Sequence, residues 1–366
     1  MKYIFWAFLC LLAFEINSYG HFYGKKHKTY EAKHIAKHGK GLKRESKGKK
    51  FLKEVKHISY VHLDAVLPAK MDISAMVSLP ENQGQCGCCW DFSLTKALRS
   101  TLMVDAKDPG RLEFNYLLNN CGPGTREYGC NGGDFPAADN FLNGNGPGLE
   151  ANDPFTGQDG ASCKHLPVAG TAISYAMLGT SNGPQFKDLA YAVAINKHMV
   201  SVDVAAAAGD WENYSAGVYN GCTGTANDID HMIDLVGYDC QTSVDANGNC
   251  EFNADGSTKN GDGLLLVENN WGETWGIKAA NGHQGYMWTE FMQNGQKCNA
   301  IATDALEFTV TKAPPPTPPT PPTPPVPPTP PAPINEPFQW WWLALAALGE
   351  GVVMLVVYLV FLRKSK

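Results

Sequence analysis

Three cysteines fall within four positions, Cys86, Cys88 and Cys89, in the stretch NQGQCGCCWDFS (residues 82–93), and Trp90 follows directly. A thiol can be a nucleophile, a metal ligand or half of a disulfide, and its surroundings decide which. Zinc is disfavoured locally, because no second pair of the CxxC or HxxxH type follows to complete a tetrahedral site. After Cys89, the apolar residues Trp90, Leu94, Ala97, Leu98 and Leu102 recur every three or four positions, which predicts a helix over WDFSLTKALRSTLMV. Asn82, Gly84 and Gly87 read as the loop leading into it. Cys89 is thus expected near a helix N-terminus, where unpaired N–H groups and the macrodipole favour a thiolate and lower the thiol pKa.

A nucleophilic thiol needs a base and a group to orient that base. Of the ten histidines, five lie in a basic leader and His62 just after it, leaving His165, His198, His231 and His283 in the body. Only His231 is embedded in a strand-like run, IDHMIDLVGYD (229–239), although a lone buried histidine also serves structurally. Further strand-like runs are MVSVDVA, GLLLVENNW and GHQGYMWTE, each punctuated by glycine. A helical first half and a sheet-rich second half predict an α+β body of two lobes with a cleft between them.

Four ordered stretches, NQGQCGCCWDFS, YGCNGGDF (128–135), IDHMIDLVGYD and VENNWGETWG (267–276), closely resemble the papain-like cysteine peptidases. The resemblance implies a papain-like two-lobe fold, with an N-terminal helical lobe and a C-terminal β-barrel-like lobe. It also implies an endopeptidase that works through an acyl-enzyme. Carried over residue by residue, Cys89 is the nucleophile, His231 the general base, and Asn269 the side chain that orients the imidazole under Trp271. Gln83 and the backbone N–H of Cys89 resemble the oxyanion hole. Gly132, Gly133, Asp134, Asp203, Asp230 and Trp271 fall at substrate-binding positions. The acidic pair Asp134 and Asp203 implies a preference for Arg or Lys two residues before the cut, where the family usually takes an apolar side chain.

Spacing alone leaves the cysteine pairing open. The resemblance implies Cys86–Cys130, Cys121–Cys163 and Cys222–Cys298, and Cys240 with Cys250 flank a short loop that suits a local disulfide. Cys88 stands where the family usually has Ser. It is either a simple small-residue replacement or a redox brake that joins Cys89 on oxidation. No cofactor and no metal are expected. The rival to a peptidase is a catalytically silent surface module that keeps the fold for binding.

The rest of the chain must position and deliver this body. Residues 1–20 read as a secretory signal peptide, 21–65 as a basic leader or short propeptide, and 66–312 as the peptidase domain. Residues 313–339 are a Pro/Thr-rich stalk, and 340–362 are an apolar run long enough for a single transmembrane helix. The basic residues in 363–366 place the tail in the cytoplasm and the body outside, at a cell surface, in a lysosome- or vacuole-like compartment, or in a periplasm. Residues 21–57 carry 13 Lys/Arg against 3 Asp/Glu, whereas 60–312 carry 13 against 30, a balance of −17. The body therefore repels nucleic acid, and its expected partners are protein or peptide substrates. The leader reads as a solvated arm, or else as a segment that docks on the acidic body. It is shorter than the family's inhibitory propeptides and lacks their helical motifs, so autoinhibition of the usual kind is not expected. LPAKMDI, from Leu67, resembles the mature start. Asn269 follows His231 by 38 residues, a wide gap filled by an acidic, glycine-rich surface loop.

Overall fold

A computed structural model describes residues 39–142, 146–164, 172–207 and 211–311. The expected signal peptide, stalk, membrane span and tail lie outside the described residues. All the described residues belong to the first of the two units into which the chain divides, Met1–Ala313 and Pro314–Lys366. Among them, no helix is long and apolar enough to cross a membrane.

The leader contributes helix α1 (Ser46–Glu54) and strand β1 (His57–Ile58), followed by β2 (Lys70–Asp72). Helix α2 (Cys89–Asp105) matches the predicted one and is the longest helix described; α3 (Asn115–Leu118) and α4 (Phe186–Tyr191) are short. The later strands are β3 (Ala172–Leu178), β4 (Val200–Val204), β5 (Val218–Tyr219), β6 (His231–Asp239), β7 (Leu264–Glu268), β8 (Ile277–Lys278), β9 (Gln284–Glu290), β10 (Met292–Gln293), β11 (Gln296–Lys297) and β12 (Ala305–Thr311). Ten of them form one sheet along the path β1-β3-β12-β4-β6-β7-β9-β5, with β2 added to β6 and β8 to β9. All four strand-like runs of the sequence became strands. The α+β division therefore stands, with one ten-stranded sheet in which β6 lies antiparallel to both β4 and β7, and a separate β10–β11 pair.

Helix α2 packs against β4, β6 and β12. Its first ten residues are all buried, which exceeds an amphipathic stripe and explains why its polar members must find partners inside. Lys96 does so with two carboxylates: Nζ lies 3.0 Å from Asp234 Oδ2 on β6 and 2.8 Å from Glu268 Oε1 on β7. Ser93 donates to Asp234 Oδ1 at 2.8 Å. Asp234 is three residues past His231, and Glu268 directly precedes Asn269. This buried cluster thus ties the helix that begins at Cys89 to the strands that present the other two expected site residues. Burial pushes Asp234 up to about 6 and Glu268 up to about 7, while the two carboxylates hold Lys96 charged, at about 12.

From residue 39 on, the described part of the leader packs on the body as the docking alternative expected, and is not a solvated arm there. Lys47 reaches the buried Glu127 at 2.8 Å, Lys43 and Lys47 sit over the Tyr128 ring at 4.2 and 4.6 Å, and Phe51 lies 6.0 Å from Tyr175. Cation–π contacts and an ion pair with one buried partner outweigh the entropy of a free arm.

Because Glu268 titrates higher in the folded chain than in an unfolded one, its contribution to stability is present at acid pH and lost as pH rises through about 7. Chemical denaturation should therefore show the wild-type minus Glu268→Gln stability difference falling from pH 5 to pH 8. Lys96→Met, which leaves two buried carboxylates facing each other, should cost about 3–5 kcal/mol at neutral pH.

Candidate active site

Cys89 opens α2, with Cys88 at its N-cap, and is fully buried. The backbone N–H groups of Met232, Gly41 and Trp90 all face its sulfur, and the Gly41 nitrogen lies 3.2 Å away. Met232 is the residue after His231, so the sulfur sits at the His231 end of β6. The thiol pKa runs opposite to the sequence expectation. Burial pushes Cys89 up to about 12, and the three N–H groups offset this only in part. The helix terminus is where it was predicted, but the leader covers the sulfur and removes the water that would stabilise a thiolate.

His231 Nε2 lies 2.9 Å from Asn269 Oδ1, and the His231 ring stacks on Trp271 with centroids 5.0 Å apart. The backbone N–H of Asn270 also donates to that Asn269 oxygen, at 2.7 Å. A main-chain donor identifies the atom as the amide oxygen, so His231 Nε2 must carry the proton it shares with Asn269. Nδ1 is then the nitrogen that exchanges a proton. Asn270, which sequence reasoning passed over, closes the arrangement: its Nδ2 donates to Met232 O at 2.9 Å and reaches Cys89 O at 3.4 Å.

Gln83 is buried beside this group, with Nε2 donating to Cys86 O at 2.8 Å. Gly132 has φ +115°, and a Cβ on Gly133 would lie 2.4 Å from the Trp90 ring, so both glycines are required by the backbone path. Asp230 turns its carboxylate onto the N–H groups of Ala206 and Ala207, while its carbonyl accepts from Leu42 N–H of the leader. Asp134 and Asp203 are buried instead of pointing to solvent. The pairs Cys86–Cys130, Cys121–Cys163, Cys222–Cys298 and Cys240–Cys250 are all disulfides. Cys88 and Cys89 are free and buried. The two belong to different apolar clusters, Cys88 with Phe92, Phe114 and Leu118, and Cys89 with the main core. Burial also raises the Cys88 thiol well above its ordinary value.

The groove is filled by the leader itself. Gly39 N–H donates to Gly84 O and Trp271 Nε1 donates to Gly39 O; Gly133 N–H donates to Gly41 O, Leu42 N–H to Asp230 O, and Lys43 N–H to Gly133 O, all within 2.9–3.2 Å. Leu42 pairs with Gly133 in the parallel sense. A Cβ on Gly41 would fall 1.8 Å from Gly87 O, so only glycine lets the backbone pass this close to the sulfur. The signal in the sequence was the alternation GKGLKR, which carries no meaning until the narrow passage beneath it is known.

The family model described as papain family cysteine protease matches residues 67–307. This chain belongs to that family. Its match begins at Leu67, which is fully buried just before β2, so the leader lies outside the papain-family match. Vignain of Vigna mungo is 31% identical over 225 residues, covering 60% of this chain and 54% of the relative. Cathepsin K of Mus musculus is 30% identical over 202 residues, covering 54% and 53%. The chain thus spans about half the length of the curated relatives it matches. Among solved structures, the digestive procathepsin L2 proteinase from Tenebrio molitor larval midgut aligns with a TM-score of 0.57 at 27% identity, covering 74% of this chain and 78% of that one.

Alkylation by a small thiol reagent, read by peptide mapping, should label Cys89 slowly in the full chain near neutral pH. Gly41→Val overpacks the passage, a change that costs about 1–3 kcal/mol. It should therefore speed labelling of Cys89 roughly 5- to 150-fold. Labelling of Cys88 should stay slow in both.

Proposed function

We propose that the chain is a cysteine endopeptidase made in a latent form, with Cys89 as nucleophile, His231 as general base and acid, and Asn269 as the residue that fixes the imidazole. The observation that carries this reading is the 2.9 Å bond from His231 Nε2 to Asn269 Oδ1 beneath Trp271, at the strand end whose next amide faces the Cys89 sulfur. With Nε2–H committed to Asn269, Nδ1 takes the thiol proton, and the resulting imidazolium later protonates the leaving amine. The acyl-enzyme is then hydrolysed by water. The second N–H of the Gln83 amide and the Cys89 backbone N–H would receive the developing oxyanion, a contribution of about 3–4 kcal/mol per donor. Gly132 and Gly133 would hold the substrate backbone, Asp134 and Asp203 would line the pocket beside them, and Trp271 would keep water from the His231–Asn269 bond.

The leader supports latency for a geometric reason. It presents an N–H to the sulfur at Gly41, not a carbonyl carbon, so the segment that fills the groove offers nothing to attack. One solved structure that the chain resembles is itself named a procathepsin. The signal peptide at 1–20 supports entry into the secretory pathway. The stalk at 313–339 and the apolar span at 340–362 support a single-pass anchor that holds the body outside the cytoplasm.

The test is turnover of a fluorogenic protein substrate by the full chain before and after limited proteolysis of the leader. Activity should appear on leader removal and be absent in Cys89→Ala, and His231→Ala should lose on the order of 10²–10⁴-fold in kcat. Equal turnover by wild type and Cys89→Ala would refute the proposal.

A further inference from the structure

Beside the leader's passage over Cys89, the side chain of Arg44 enters a pocket floored by carboxylates. Its Nε and Nη2 meet both oxygens of Asp134, at 3.2 and 3.3 Å, in the forked geometry that suits a guanidinium. Nη1 lies 3.3 Å from Asp203 Oδ2 and also bonds Asp304 Oδ2. The guanidinium carbon sits 5.6 Å from the centre of the Phe135 ring. Asp134 and Asp203 are fully buried. Gly48 of α1 closes the pocket from above, since a Cβ there would fall 2.1 Å from Asp134 Oδ2.

The charge count in this pocket does not close without a guest. Three carboxylates converge on it. Asp134 Oδ1 accepts from Phe135 N–H at 2.8 Å, and Asp203 Oδ1 accepts from Asp304 N–H at 2.9 Å. The other cation nearby, Lys297, bonds the carbonyls of Pro184 and Ala302 and also acts on Asp203 and Asp304, but it supplies only one charge against three. Remove Arg44 and three carboxylates share a largely dry site with Lys297 alone, so the site must take up protons or another cation. Burial and the neighbouring Asp304 already push Asp203 up to about 8 with Arg44 in place. A leader need supply only a plug, and an apolar side chain would fill such a hole without this cost. Three convergent acids are what a site built to receive a guanidinium requires.

We propose that Asp134, Asp203 and Asp304 form a cation-selecting subsite of the open groove, which takes the guanidinium of a substrate arginine, and that Arg44 fills it in the latent chain. The subsite lies beside Gly133, opposite which the leader places Leu42, one residue from the Gly41 that touches the sulfur. Because the family resemblance gives Gly132 and Gly133 the substrate backbone and Asp203 the second pocket, we assign the subsite to the second residue before the scissile bond. Asp304 is the member that sequence motifs did not bring forward, since it lies in a loop before β12, far from the other two in the chain. A site that neutralises a buried carboxylate cluster should discriminate strongly against an isostere that lacks the charge, because the acids are then left unpaired.

This inference rests on the peptidase reading, and the experiment separates the two. The full chain, with its leader nicked by limited proteolysis, is first titrated with an irreversible epoxysuccinyl inhibitor to count active thiols. It is then assayed on peptides identical except for arginine, its neutral isostere citrulline, or leucine at the second position before the cut. We expect kcat/KM for arginine to exceed citrulline by tenfold or more. In Asp304→Asn, and further in the Asp203→Asn/Asp304→Asn pair, that ratio should fall toward one while the titrated thiol count stays the same. Equal cleavage of the arginine and citrulline peptides by a fully titratable enzyme overturns the subsite. A chain in which no thiol titrates overturns the peptidase reading instead.

Discussion

The sulfur of Cys89 is held between its own helix and a strip of leader backbone, and most of the architecture follows from keeping that contact dry. The Gly41 N–H faces the sulfur from one side and the Met232 and Trp90 N–H groups face it from the helix and strand. A thiolate gains from such donors, but only if water or a cation also reaches it. In the covered state burial outweighs these donors and raises the thiol pKa. Cys89, His231 and Asn269 are fixed from behind by the Lys96, Asp234 and Glu268 cluster and by Asn270, so on the proposed mechanism uncovering the groove would change the balance without moving them. On that proposal the reactive groups are preorganised, and the leader controls solvent access to them.

The charge asymmetry of the chain takes on a local meaning in this light. A basic leader on an acidic body gives only weak, screened attraction if the charges remain in water. Here particular pairs are taken out of water: Lys47 on the buried Glu127, and Arg44 on three carboxylates, two of them fully buried. Ahead of both, residues 39–43 make backbone hydrogen bonds that any glycine-rich extended segment can make. Affinity for the groove therefore comes from two side-chain anchors, and the close approach to sulfur comes from Gly39 and Gly41, whose lack of a Cβ permits it.

Much of this was legible in the sequence. Apolar spacing after Cys89 gave the helix, glycine-bounded β-branched runs gave β4, β6, β7 and β9, and the ordered motifs brought Cys89, Gln83, His231 and Asn269 to one place. All four disulfides were also anticipated. Three things were not. The sign of the Cys89 shift depends on what covers the sulfur, which no local motif encodes. The leader was judged by its length and its missing helical motifs, whereas it docks through an alternation of glycine and basic residues that has meaning only against a groove. The buried Lys96, Asp234 and Glu268 cluster and the placement of Asp304 are long-range: their partners lie from 34 residues to well over 100 residues away in the chain. Such pairings become visible only when the strands are assembled.

The central claim is that leader docking and an open Cys89 exclude one another. Hydrogen exchange resolved to residues 39–45, measured on the full chain before and after covalent occupation of Cys89 by an epoxysuccinyl inhibitor, tests it most directly. The account predicts that the Leu42 and Lys43 amides are protected in the untreated chain and exchange freely once the sulfur is occupied. Protection that survives full modification of Cys89, or that is absent from the start, would contradict it.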